Sequence, residues 1–314
     1  MWPLYILFNK SLKTEEENVS KGENSSLVKS YPHESSTNGK CSVAVLPQSH
    51  SVEVPHINQL YSWDCGLACV LMVFRTVGIN SYSIQSLAEL CCTNRCAMPY
   101  LKDAVVEGSE VFYECLIQLL WDIAFCIWTV DLAYLLHEFS ISFSYYTVTL
   151  GANPNYSDET FYKEQLPKDL VRVETLFQRS LDAGLNIQGN EPLSLQCRSI
   201  SEEEISLWML SGKYIAIALV DQYKLSRSWQ KDVFISDFNA KNSSYTGHYV
   251  IICGYDMGTD EFEIRDPASS RKHEKVSSKC LEEARKCFGT DEDLLLISLE
   301  KIGNQDSNSL QLSA

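Results

Sequence analysis

Hydrophobic positions along the chain change period partway through. Residues 66–77 (GLACVLMVFRTV) are apolar on nearly every side, which predicts a buried helix with Gly78 behind it as a cap. Residues 83–92 place Ile84, Leu87, Ala88 and Cys91 at helical spacing and predict a second helix. Thr129 is positioned to cap a third, residues 130–139, with Asp131 favouring its positive end. Strand patterns follow. Residues 143–150 (FSYYTVTL) are aromatic and β-branched and stop at Gly151 and Pro154. Residues 168–183 and 202–210 return to helical spacing, and 214–220 (YIAIALV) read as a buried strand. Residues 248–255 and 261–265 form a hairpin around a five-residue turn, then a helix at 278–288 precedes a last strand at 294–299. Helices come mostly first and strands mostly last, which predicts an α+β fold with an antiparallel sheet rather than a doubly wound one.

Two stretches break the pattern. Residues 1–49 open on an apolar tip, MWPLYILFNK, and continue rich in Ser, Asn, Glu and Lys with no sustained period, so they read as a flexible arm. Residues 303–314 read as a similar tail, leaving one domain over 50–302. Residues 95–126 are a long apolar-rich segment inside that domain. Its stretch 111–130 is hydrophobic on nearly all sides but interrupted by Glu114 and Asp122, so it reads as an insertion rather than a membrane helix.

With 45% apolar and 21% charged residues, the 314-residue chain can build a sizeable core. A net charge of −15 argues against a nucleic-acid partner, which would need clustered Lys and Arg. The opening apolar run lacks a basic n-region and a cleavage site, and falls short of the roughly 18 residues a bilayer demands. The expectation is a cytoplasmic protein, with the nucleus as alternative, without a stable membrane span and with its 12 cysteines reduced.

Candidate chemistry begins at HINQLYSWDCGLACVLMVF, residues 56–74, where Cys65 stands at the start of the apolar helix. A thiol attacks as its thiolate, and a helix N-terminus plus a neighbouring imidazolium favours that state. Gln59 is placed to donate its side-chain amide to an oxyanion, and Gly66 to leave room for a substrate backbone. The base candidate is His248, opening an apolar strand. Asp266 ends the partner strand and is placed to orient the imidazole. Each has a plainer reading: free cysteine is commonly core, and Asp266-Pro267 is a good strand-ending turn. Cys69 reads as core, or as a redox partner of Cys65. Cys91, Cys92 and Cys96 lack a second pair at zinc spacing, so no metal site is expected. His56 and His273 read as surface residues and 271–275 (RKHEK) as a solvated loop. Asp291 and Asp293 read as capping the last strand, or as a metal pair if the chain is a cyclase.

Gln59, Cys65, His248 and Asp266, in that order, resemble the papain-like cysteine peptidases, especially their C39-like branch. More closely, the chain resembles the plant soluble guanylyl cyclase family and its animal relatives. The matching stretches include VPHINQLYSWDCGLACVLM, WTVDLAYLL, SYYTVTLGANPNY, SGKYIAIALVDQYKL, TGHYVIICGYD and DEFEIRDPASSRK. In that family CCTN (91–94) is expected to run almost directly into IWTVDLAYLL (127–136), so 95–126 look inserted, as do GNEPLSLQ (189–196). The resemblance implies a papain-like fold and conversion of GTP to cyclic GMP and pyrophosphate with Mg²⁺ or Mn²⁺. The family's short cyclase pattern falls on Ser62, Trp63 and Arg75, with Asp64 a poor fit at its third position. No phosphate-cradling glycine loop accompanies it. Three expectations stand side by side. The first is a cofactor-free thiol enzyme acting on an amide, peptide or isopeptide bond of a peptide or protein substrate. The second is a soluble guanylyl cyclase acting on GTP, and the third a non-catalytic interaction module.

Overall fold

The computed structural model describes residues 46–95, 127–163, 166–182, 193–226 and 245–300. A three-residue strand, β1 (Ser49–Ser51), is followed by helices α1 (Cys65–Thr76), α2 (Ile84–Arg95) and α3 (Thr129–Glu138), then by β2 (Phe143–Thr147). A 3₁₀ turn (Pro154–Asp158), the short α4 (Thr160–Lys163) and the long α5 (Leu166–Asp182) lead to β3 (Leu193–Cys197) and α6 (Glu202–Ser211). The remaining elements are β4 (Tyr214–Asp221), α7 (Gln222–Ser226), β5 (Gly247–Asp256), β6 (Glu261–Arg265), β7 (Glu274–Ser277), α8 (Ser278–Arg285) and β8 (Leu294–Ser298). The class is mixed α+β, as the hydrophobic pattern predicts.

All these strands join one sheet in the order β3-β2-β8-β4-β5-β6-β7, with β1 lying against β5. Every pairing is antiparallel except β2 with β3. The central strands are apolar throughout because both faces are covered. Ile215, Ile217 and Leu219 of β4 point into a core shared with α1, α2, α3 and α5. Ala216, Ala218 and Val220 point into a second core with α6 and α8. That double burial explains why β4 reads as a continuous run rather than an alternation.

The β5–β6 hairpin forms where its pattern places it, pairing Asp256 with Glu261 across the turn. A bulge interrupts the register between Ile252 and Gly254. Gly254 is where β1 crosses: a Cβ there would sit 2.8 Å from the His50 carbonyl oxygen and 2.8 Å from Ser51 Cβ, so only glycine fits without displacing β1.

Several expectations are corrected. The first described strand, β1, starts at Ser49, at the end of the expected arm, and pairs with Tyr255 and its neighbours. Thr129 is not a cap. Trp128 occupies the N-cap and its backbone N–H donates to the Asp131 carboxylate at 2.9 Å, while the Thr129 hydroxyl bonds Tyr249 Oη. The piece 189–196, expected as extra to the family pattern, carries the start of β3 from Leu193, which pairs with β2. The charged stretch 271–275 ends inside the sheet, with Glu274 and Lys275 in β7. Residues 1–45, 96–126 and 301–314 lie outside the described residues, and with them the tip, most of the expected insertion and the tail. No described helix is long and apolar enough to cross a membrane.

Candidate active site

The loop before α1 is fixed from the far end of the chain. Gln59 N–H donates to the Pro267 carbonyl at 2.9 Å, and Asn58 Nδ2 donates to Ser269 O at 2.7 Å. His56, expected on the surface, is half-buried and its Nε2 donates to the Asp266 carbonyl at 2.9 Å. These bonds tie residues 56–59 to the turn after β6. Asp64 then bends the chain into the helix. Its fully buried carboxylate accepts from Leu60 N and Tyr61 N, each at 3.1 Å. Burial holds that carboxyl above the usual range against the pull of the backbone N–H groups. Cys65 is therefore the first residue of α1, 5% exposed, at the end of the helix where backbone N–H groups point outward.

Gly66 does not face a substrate. A Cβ there would meet Leu132 Cδ1 at 3.0 Å and Tyr249 Cδ2 at 3.1 Å, so glycine lets α1 pack closely on α3 and β5. Cys69, one turn on, is fully buried in the same core. Burial first, then the charges of Cys65 and Asp266, hold its thiol well above the ordinary value, which makes it a packing residue rather than a redox partner.

His248 sits near the start of β5, 3% exposed, with Nε2 2.7 Å from Asp266 Oδ1. It is also in hydrogen-bond contact with Cys65. Burial by itself pulls an imidazolium down, but the Asp266 hydrogen bond and the hydrogen bond and charge of Cys65 push His248 up to about 10. Burial likewise pushes Asp266 up, and the His248 bond and charge, with the Ala268 N–H at 2.8 Å, bring it below the usual carboxylate range. Both shifts run toward an imidazolium–carboxylate pair.

Cys65, His248 and Gln59 all border one cavity of about 400 Å³. Gln59 Nε2 donates to the Tyr61 carbonyl at 2.8 Å, which occupies one of its two N–H groups. Trp63 stacks on Tyr61 at the rim, ring centroids 5.9 Å apart, and Trp128, Phe161, Tyr162 and Tyr249 line the wall. Asp266 stands behind His248 rather than in the cavity. The four residues singled out in the sequence for thiol chemistry thus come together, with Asp266 reached through the imidazole.

The cyclase pattern does not come together. Ser62 borders the cavity, whereas Arg75 lies ten residues along α1, about 15 Å away at 1.5 Å per residue. Its guanidinium donates to Ile79 O at 2.9 Å and Tyr82 O at 2.7 Å, holding the loop into α2. Asp291 and Asp293 were readable as a pair, but their position was not: both line the cavity beside Cys65.

Comparison with known proteins shows what the chain is similar to. The family model described as "Guanylylate cyclase" matches residues 54–98 and 106–297. "Guanylyl cyclase 1" of Arabidopsis thaliana is 53% identical over 311 residues, which span 98% of this chain and 99% of that protein. A solved structure described as a C39-like peptidase from Bacillus anthracis is 14% identical and covers 79% of this chain and 96% of its own, with a TM-score of 0.34, too low to carry an argument.

Proposed function

The chain belongs to the guanylylate cyclase family, and on that premise we propose that its chemistry is carried by the cavity at Cys65. Kinship supports one reading of that chemistry, conversion of GTP to cyclic GMP and pyrophosphate, and supports it better than any other. Such a reaction calls on Mg²⁺ or Mn²⁺ and on cations that meet the polyphosphate. Among the described residues no three His, Cys, Asp or Glu side chains gather as metal ligands, and none of the described residues lining the cavity is Lys or Arg. Asp291 and Asp293 are the described carboxylates that would hold such a metal beside the substrate phosphates, while no described cation stands there to meet the polyphosphate.

The geometry of the cavity supports a second reading best: thiol-dependent acyl chemistry on an amide, peptide or isopeptide bond, in a papain-like arrangement. The observation that carries it is the buried His248–Asp266 pair at 2.7 Å with Cys65 in contact with the same imidazole. In this reading the proton of Cys65 already rests on His248, and Cys65 Sγ bonds to the carbonyl carbon as a thiolate while the carbonyl π electrons move onto oxygen. The tetrahedral oxyanion draws on the second N–H of Gln59 and on the backbone N–H at Cys65. His248 then returns the proton to the departing amine, and water hydrolyses the thioester to a carboxylate and free thiol. Asp266 orients the imidazole and holds it cationic.

One experiment separates the two. Cyclic GMP formation from GTP with Mg²⁺ or Mn²⁺ is measured for the wild type and Cys65→Ala, alongside Cys65 alkylation against pH read by peptide mass spectrometry. Metal-dependent cyclic GMP that survives Cys65→Ala, with an ordinary thiol titration near 8.5, establishes the cyclase and refutes the thiol mechanism. Alkylation that stays fast well below that pH, with no cyclic GMP, does the reverse.

A further inference from the structure

The far end of the cavity carries charge that the thiol mechanism does not use. β8 enters the sheet between β2 and β4, and the turn before it holds Asp291 and Glu292 in left-handed backbone, φ 50° and 53°. That turn brings Asp291 and Asp293 to the cavity lining. Asp291 Oδ1 accepts from Tyr156 Oη at 2.6 Å, and Asp293 Oδ2 from Tyr145 Oη at 3.1 Å. Asp293 Oδ1 is buried with no hydrogen-bond partner, in a residue 5% exposed. The Thr129 and Thr147 hydroxyls interact with the Asp293 carboxyl and pull it down, while also bonding Tyr249 Oη at 3.0 Å and Thr149 O at 2.9 Å.

A buried carboxylate oxygen without a partner is costly unless a ligand supplies the missing donor. Burial holds Asp291 at about 6 and, with the charge of Asp291 added, Asp293 well above its ordinary value. Both carboxyls therefore lack compensating positive charge, and no described lining residue supplies it. The remaining wall offers what an organic cation with an aliphatic stem requires: the rings of Trp128, Phe161 and Tyr249, whose faces attract cations and whose area is apolar. Hydrated Mg²⁺ is a poorer fit, since it keeps a polar octahedral shell that aromatic walls do not satisfy. Tyr249 neighbours both Asp293 and Cys65, so one substrate reaches the carboxylates and the thiol together.

We propose that this cavity takes the cationic end of the substrate, a primary ammonium or guanidinium on an aliphatic stem, against Asp293 and Asp291. The inference rests on the preceding reading only in making the cavity the substrate's, and binding alone tests it. Calorimetric titration of the full chain at pH 8 compares n-butylamine and n-butylguanidine with uncharged n-pentanol, for the wild type and Asp293→Asn. The expected result is at least tenfold tighter binding of the cations than of the alcohol, with that preference lost in Asp293→Asn. Equal affinity for cation and alcohol overturns the proposal. So does a cation preference that Asp293→Asn leaves intact, or Mg²⁺ or Mn²⁺ binding there without amine binding. Should Asp293→Asn not fold, the amine-to-alcohol comparison in the wild type decides by itself. Cation binding beside an ordinary Cys65 thiol keeps this site and removes only the thiol mechanism, so the two failures are distinguishable.

Discussion

Asp266→Asn is the sharpest probe of the His248–Cys65 arrangement, because it removes a charge while keeping the shape of the side chain. In the wild type the Nε2–Oδ1 bond is 2.7 Å and both side chains are nearly buried, 3% and 7% exposed. Hydrogen bonds to charged groups contribute about 1.5–3 kcal/mol, against about 1 kcal/mol for a neutral one. Asparagine Oδ1 still accepts from the imidazole and from Ala268 N–H, so the imidazolium loses its charge partner but not its orientation. If the thiol is reactive because it is paired with that imidazolium, losing the difference, about 0.5–2 kcal/mol, lowers the reactive population roughly 2- to 30-fold. The assay is the iodoacetamide rate at Cys65 from pH 5.5 to 10, read by peptide mass spectrometry, with circular dichroism confirming the fold. The expected ratio of wild-type to variant rates is at least about twofold at pH 6 and approaches one near pH 10, where a thiol ionises without help. Superimposable profiles refute the reasoning and return Cys65 to the core.

Other expected outcomes follow from single contacts. His248, raised to about 10 from 6.5, contributes stability that is fully present below about pH 6.5 and lost as pH climbs through 10. Urea midpoints should thus fall between pH 7 and 10.5, and more in the wild type than in His248→Gln; equal falls would deny the ion pair. The lowered Asp266 gives the opposite limb, present above its unfolded value and lost as pH falls below the usual carboxylate range. Gly254→Ala forces a Cβ to within 2.8 Å of the His50 carbonyl, so denaturant unfolding should show a loss of about 1–3 kcal/mol as β1 is displaced. Arg75→Ala removes bonds to Ile79 O and Tyr82 O and should lower the melting temperature while leaving the Cys65 alkylation profile unchanged. Loss of cyclic GMP formation in Arg75→Ala with no change in melting would instead support the cyclase pattern on α1.

Local period was enough to place most elements. α1 is apolar all round because it is buried all round, and the hairpin between β5 and β6 has both strands and its turn in one continuous stretch. The elements that escaped are short or depend on distant partners. Glu274–Ser277 carries a single aliphatic residue, too few to show a strand period, and Leu193–Cys197 alternates over only five residues; they become strands by pairing with β6 and β2. The Trp128 cap escaped because the partner of its N–H is a carboxylate three residues on, not its own side chain.

The site divides the same way. The identities of Cys65, His248, Asp266 and Gln59, and their order, stand in the sequence; so does the possibility of their chemistry, because thiol, imidazole and carboxylate have fixed reactivities. Their meeting does not. It depends on residues 56–59 bonding to the turn after β6, and on α1 packing against β5 through Gly66. The burial of Asp291 and Asp293, which the sequence shows only as residues before the last strand, was likewise decided by tertiary structure, since inserting β8 between β2 and β4 buries the turn that precedes it. Pattern along a chain reports which face of an element is wet or dry, because that follows from local geometry. Which elements share a boundary, and which side chains therefore share a cavity, is fixed only when the whole sheet is ordered and packed.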